Sequence, residues 1–156
     1  MLCWTGVTGG KAHNQKGSGT NPLCLTGTPQ FDNTAATSSS SYGYIYGTEY
    51  ENIANHQDHD VPCSVCMAPQ SVTIMVPATL TCPQGWTPQY SGHLTSTHYT
   101  QYASQFVCLD SSPENDRSGV KNDDGLLFYY VTAQCGSLPC PPYIGGKVVT
   151  CVVCSK

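Results

Sequence analysis

Apolar residues along this chain recur in short bursts and not in the stripes that a helix needs. No window of about 12 residues keeps an apolar stripe at helical spacing, and clusters of Gly, Pro, Ser and Thr break the chain about every ten residues. Five segments rich in β-branched or aromatic residues are predicted as strands: Tyr42–Tyr46, Ser71–Val76, Gln105–Leu109, Leu126–Thr132 and Lys147–Val153. The fold class is therefore all-β. The Ala/Thr/Ser tract Thr34–Ser41 buries too little surface to hold one shape and reads as a surface loop, with Glu114–Gly125 as a second, more polar one.

The two halves of the chain echo each other. Trp4-Thr5-Gly6, His13, Leu23-Cys24-Leu25, Gly43-Tyr44-Ile45-Tyr46 and Cys63-Ser64-Val65-Cys66 occur in the first half. Tyr90-Ser91-Gly92, His98, Val107-Cys108-Leu109, Gly125-Leu126-Leu127-Phe128 and Cys151-Val152-Val153-Cys154 follow in the same order in the second, with offsets that drift by only a few residues. This order predicts two tandem duplicated subdomains, residues 1–70 and 71–156, packed about a pseudo-twofold axis in one compact domain, with the join near Met67–Leu80.

Composition narrows the setting. The chain has 156 residues and ten cysteines, and only 10% of its residues are charged, against a usual share of about 25%. A disulfide-rich, hydroxyl-rich chain of this kind is expected to be secreted and extracellular. Its net charge of −4 includes no run of Lys or Arg, which argues against nucleic acid as a partner. No stretch approaches the roughly 20 apolar residues of a membrane span, so no membrane insertion is expected. Met1–Gly6 lacks the basic start and apolar run of a signal peptide, so the chain reads as a mature or trimmed product.

Cys63-x-x-Cys66 and Cys151-x-x-Cys154 have the spacing of a four-cysteine zinc site. However, zinc modules separate the two pairs by roughly 12–20 residues, and these are much farther apart. Cys151-Val152-Val153-Cys154 looks like a strand, on which positions i and i+3 point to opposite faces and reach different partners. A redox pair would need a βαβ setting that is missing. Structural disulfides are the preferred reading for Cys3, Cys24, Cys63, Cys66, Cys82, Cys108, Cys135, Cys140, Cys151 and Cys154, with no metal held by them. Spacing alone leaves the connectivity open, but duplication implies matched bonds. Cys24 and Cys108 then have equivalent roles, as do the two CxxC pairs, while Cys135 lacks a counterpart and is expected to pair with Cys140. Cys3 and Cys82 complete the set.

Three strings in the first half carry a family resemblance: Gly17–Leu25, Tyr44–Glu51 and His56–Cys66. Thr81-Cys82-Pro83-Gln84-Gly85-Trp86, Leu138–Tyr143 and Cys151–Cys154 extend it through the second half. Together they resemble the C-terminal non-collagenous domain of the spongin short-chain collagen family, which is related to the duplicated, trimer-forming C-terminal domain of type IV collagen. The resemblance covers nearly the whole chain and implies a collagen-IV-C-terminal-domain-like fold. It also implies either a lectin, as in free-standing sponge-type members, or a matrix trimerisation module. This chain has no Gly-X-Y repeat, which tilts the reading to a lectin. It begins where family members carry an upstream Thr-Cys-Pro, so Cys3 is expected to stand in for that cysteine.

The candidate binding residues cluster in His56-Gln57-Asp58-His59-Asp60. Such a loop suits calcium through Asp58 and Asp60, zinc through His56 and His59, or direct hydrogen bonds to sugar hydroxyls, and the sugar is preferred. The plain alternative is a polar loop held by its neighbouring disulfide. Trp4, Trp86, Tyr42, Tyr44, Tyr46 and Tyr50 offer ring faces for a galactose-type sugar, with Glu49 and Asn55 as polar neighbours, or else they fill a core short of Leu and Phe. The acids of the loop are too few for a dedicated calcium cage, so binding is expected to need no cofactor and to respond little to chelators. Gly-x-Ser-x-Gly, phosphate-loop and His-Glu-x-x-His motifs are lacking, so no catalysis is expected. The expected partners are glycans or glycoproteins, and multivalent avidity calls for a homo-oligomer.

Overall fold

The computed structural model describes residues 2–35, 42–115 and 120–156, which form nine strands and no helix. The strands are β1 (Cys3–Gly10), β2 (Leu23–Thr26), β3 (Tyr46–Tyr50), β4 (Pro62–Cys66), β5 (Thr73–Pro77), β6 (Thr87–Ser96), β7 (Val107–Asp110), β8 (Leu126–Tyr130) and β9 (Thr150–Ser155). Their order is β2-β1-β3-β8-β6-β9-β5, with β4 also on β1 and β7 also on β6. Every pairing is antiparallel except the seam at the centre, where β3 and β8 run parallel with Thr48 opposite Leu126 and Tyr50 opposite Phe128.

β1 and β6 organise the two halves, and each carries a glycine that its neighbours require. Gly6 faces Thr26 on β2 and Cys63 on β4. A Cβ there would overlap the backbone carbonyl of Leu25, and a Cβ at Gly92 would overlap that of Leu109. The missing side chains let β2 fold across β1, and β7 across β6. Strands on opposite edges of a flat neighbour would stand about 9–10 Å apart. Here the Cα atoms of Cys24 and Cys63 are 5.7 Å apart, and those of Cys108 and Cys151 are 5.8 Å apart, so both pairs bond. The sheet is thus curled, not flat.

The other disulfides join Cys3 to Cys66, Cys82 to Cys154 and Cys135 to Cys140, and none of the ten cysteines is free. Each CxxC pair sends its two sulfurs to different partners, as expected for a strand, and the zinc and redox alternatives fall away.

One core cluster joins Tyr50, Ile53 and Val61 to Leu109, Leu126 and Phe128, and so draws on both ends of the chain. A smaller cluster packs Leu94 on the Cys108–Cys151 bond. Further bonds tie the halves together: Gln105 N–H to Thr20 O at 2.9 Å, Tyr102 N–H to His13 O at 3.1 Å, and Lys11 Nζ to Tyr102 O at 3.2 Å.

Four of the expected strands lie within a few residues of β5, β7, β8 and β9. The Tyr42–Tyr46 strand does not form as expected. The strand begins at Tyr46 and runs to Tyr50, because Thr48–Tyr50 find both a partner in β8 and a buried face. Tyr42 and Tyr44 stay exposed, their rings edge to face at 5.4 Å, and do not fill the core. Of the two expected loops, residues 36–41 and 116–119 lie outside the described residues.

Candidate functional site

The parallel seam brings three carboxylates together. Glu49 and Glu51 are two apart at the end of β3 and so share a face. Asp124 stands just before β8 on the other side of the seam. Their ligating oxygens all lie within 4.8 Å of one another, and among the described residues no other such group of His, Cys, Asp or Glu converges. Glu49 is the buried floor at 3% exposure, Glu51 a half-buried wall and Asp124 an exposed rim.

Backbone bonds set this shape. The Glu51 N–H donates to Phe128 O at 2.8 Å, which extends the seam past β3, and the Asp123 N–H donates to Glu49 Oε1 at 3.0 Å. Asp124, with φ of 53°, turns the chain into β8. Gln57 braces the wall: its Oε1 accepts from Asn52 N–H at 2.7 Å, and its Nε2 donates to Glu51 Oε2 at 2.6 Å and to Asp58 Oδ1 at 2.7 Å.

Glu49 Oε2 is buried and has no hydrogen-bond partner. Among the described residues no Lys, Arg or His makes an ion pair with the three acids. Burial pushes the Glu49 carboxyl above the usual carboxylate range, the backbone N–H groups of Asp123 and Asp124 oppose this, and the Asp124 and Asp60 charges add to it. Burial likewise raises Glu51, with the Gln57 bond opposing and the charges of Asp58 and Asp124 adding.

One aromatic ring from the second half, Tyr129, is near the acids, and a chain of ring contacts leads from it. Tyr129, on β8, has its phenol raised first by burial and then by the Glu51 charge, with Asp124 and Asp58 contributing and a hydrogen bond from Gln101 opposing. Its ring is 5.3 Å from that of His98, which in turn packs on Tyr99 at 4.3 Å. Tyr99 is 91% exposed, so its ring face is open to solvent.

The loop predicted from sequence lies next to this cradle but has other duties. His59 Nδ1 is 3.0 Å from the Gln57 carbonyl. His56 packs its ring on Tyr50 at 5.5 Å and on His59 at 6.1 Å, and its buried Nδ1 lacks a partner. Asp58, with φ of 59°, closes the loop by donating its N–H to Tyr50 O, and Asp60 bridges to Glu49 through the backbone. Asn55 is exposed at the tip. These residues do not converge on one ligand set. Trp86 is half-buried at the far end of β6, about 30 Å along the strand from Ser96, which pairs with Tyr129.

Glu51, Asp124, Tyr129 and Tyr99 are not among the binding residues expected from sequence, where Gln57 enters only as part of the His56–Asp60 cluster and His98 only as a landmark of the repeat. Glu49-Tyr50-Glu51 on a strand and Asp123-Asp124-Gly125 before one were the available signals. A cleft of about 550 Å³ also opens between the halves, lined by Thr5, Thr8, Cys24, Tyr90, Leu109 and Glu114 among others.

No family model, curated protein or solved structure matches the chain. The resemblance to the spongin C-terminal domain therefore rests on the residue strings alone.

Proposed function

We propose that this chain is a secreted, non-catalytic lectin module that binds galactose-type glycans at the seam between its two halves. The observation that carries the reading is the cradle of Glu49, Glu51 and Asp124 near Tyr129, whose ring contacts His98 and through it reaches the exposed Tyr99. The more accessible carboxylates, Glu51 and Asp124, can accept hydrogen bonds from vicinal hydroxyls, and an exposed ring face stacks the apolar side of a pyranose. Five disulfides without a free cysteine suit an oxidising, extracellular setting.

Duplication is part of this proposal. β1 pairs with β2, β3 and β4, and β6 pairs with β7, β8 and β9. Cys24–Cys63 corresponds to Cys108–Cys151, and Cys3–Cys66 to Cys82–Cys154. These pairings support a repeat in which Tyr46 matches Tyr129, one residue later than the match read from sequence.

A second reading, a matrix module that self-assembles, is favoured by one surface. Trp4 pairs with Val65 on the β1–β4 ribbon, and Met67 N–H bonds Leu2 O beside them. All four side chains are exposed, so they form an apolar face suited to a second copy of the chain. A glycan array probed with the disulfide-intact protein separates the readings. Retention on galactose-terminated glycans supports the lectin, and a blank array overturns it in favour of the assembly module.

A further inference from the structure

We propose that Glu49, Glu51 and Asp124 form a calcium site. This inference concerns the ion alone and stands whether or not a glycan binds beside it.

Three carboxylates this close repel one another unless a proton or a cation sits between them. The Glu49 carboxylate is the informative one. Its Oε1 takes the Asp123 N–H, while Oε2 is shut away from water with nothing to bond, although its residue is 97% buried, being only 3% exposed. A buried, unpartnered carboxylate oxygen is costly, and no basic side chain among the described residues offsets it. A cation in the cradle would satisfy that oxygen and cancel the repulsion together.

The donor set selects the ion. All three ligands are carboxylate oxygens, which suit a hard cation and not zinc or copper. Oxygens on opposite sides of Ca²⁺ stand about 4.6–5.2 Å apart, whereas those across Mg²⁺ stand about 4.0–4.2 Å apart. The three oxygens all lie within 4.8 Å of one another, close enough for one cation to bridge, and their mixed setting of buried floor, half-buried wall and exposed rim suits the irregular geometry that Ca²⁺ tolerates better than the near-ideal octahedron that Mg²⁺ demands. The scaffold is partly built in advance: Gln57 holds Glu51, the Asp123 N–H holds Glu49, and the exposed Asp124 gives the ion a way in. Asp124 also leaves one side open, so water completes the shell of six to eight oxygens. Sequence alone suggested too few acids because it considered only Asp58 and Asp60. The fold instead collects Glu49 and Glu51 with Asp124 across the seam.

The test uses the full disulfide-intact chain after dialysis against a chelator, with no glycan present. Thermal unfolding is followed while CaCl₂ or MgCl₂ is titrated, for the natural sequence, Glu49→Gln and Asp124→Asn. Calcium is expected to raise Tm by roughly 3–8 °C at 10 mM, with half-saturation at about 0.1–1 mM and a smaller response to magnesium. Asp124→Asn, on the exposed rim, should fold normally and shift half-saturation upward by at least about tenfold. Glu49→Gln should abolish the shift. If that buried variant does not fold, Asp124→Asn decides alone. A natural chain that ignores calcium, or an Asp124→Asn chain that responds just as the natural one does, overturns the proposal. Stabilisation by acid alone, without a calcium response, would show that the carboxylates share a proton instead.

Discussion

Gly6 lies so close to Leu25 that any Cβ at this position would overlap the Leu25 backbone carbonyl, and Gly92 stands in the same relation to Leu109. Both glycines sit where three strands meet, and the crossing disulfides Cys24–Cys63 and Cys108–Cys151 depend on that close approach. Gly6→Ala and Gly92→Ala should each destabilise the protein by more than about 3 kcal/mol, at the severe end of point-mutant effects. Gly47→Ala, whose Cβ would meet nothing within 4 Å, should be nearly neutral. Urea unfolding of the three variants checks this, and equal stability for all three would remove the steric argument.

The disulfides should differ in what they contribute. Cys108–Cys151 closes a loop across a sequence separation of 43 and is buried, whereas Cys135–Cys140 spans a separation of 5 in exposed chain. The chain-entropy model gives about 4 kcal/mol for the first and about 2 for the second. Replacing the buried pair by alanines should add a cavity cost as well. Peptide mapping without reduction should recover the five pairings described, and denaturant titration of the two double variants should rank them in this order.

Stability should fall in alkali. Burial, then the charges of Glu114 and Asp110, pushes the Tyr50 phenol up to about 12, while its hydroxyl donates to the Glu114 carbonyl at 2.7 Å. Burial also raises Tyr90, which donates to Cys108 O at 2.9 Å. The unfolded chain therefore releases these protons first as pH rises past about 10, so the contribution of the neutral phenols is full below that point and declines above it. Between pH 10 and 12 the Tyr50 contribution, roughly 2–3 kcal/mol, should be lost. Tyr50→Phe should start less stable, because it gives up the Glu114 bond, and show a flatter profile in the same window.

The sequence made some of this legible and hid the rest for physical reasons. β8 and β9 announce themselves through runs of Leu, Phe, Tyr and Val, and the cysteines through their number and spacing. β1 and β6 are unreadable by propensity because their glycines and threonines serve close strand contacts, not hydrophobic burial. The His56–Asp60 loop, read from sequence as the binding site itself, lies next to the cradle, where Gln57 bonds Glu51 and Asp60 bridges to Glu49. The cradle itself was not legible, because Glu51, Asp124 and Tyr129 meet only through the parallel β3–β8 seam, and no local pattern encodes that pairing.

Self-association should depend on the face formed by Leu2, Trp4, Val65 and Met67. Light scattering of the native protein should report a multiple of 16.7 kDa, while a non-reducing denaturing gel shows single chains, since no cysteine is free to link them. Trp4→Ser with Val65→Ser should leave a monomer. A natural chain that is already monomeric at micromolar concentration would remove this surface as an interface.

Retention on immobilised galactose, in calcium, tests the glycan site most directly when the natural chain is compared with Tyr99→Ala. Tyr99 is 91% exposed, so its truncation should leave the fold intact while it removes the open ring face and its contact with His98. The natural chain should be retained and released by free galactose, and Tyr99→Ala should bind at least about tenfold more weakly with an unchanged Tm. A natural chain that flows through, or a Tyr99→Ala chain retained as strongly as the natural one, would contradict glycan binding at this seam.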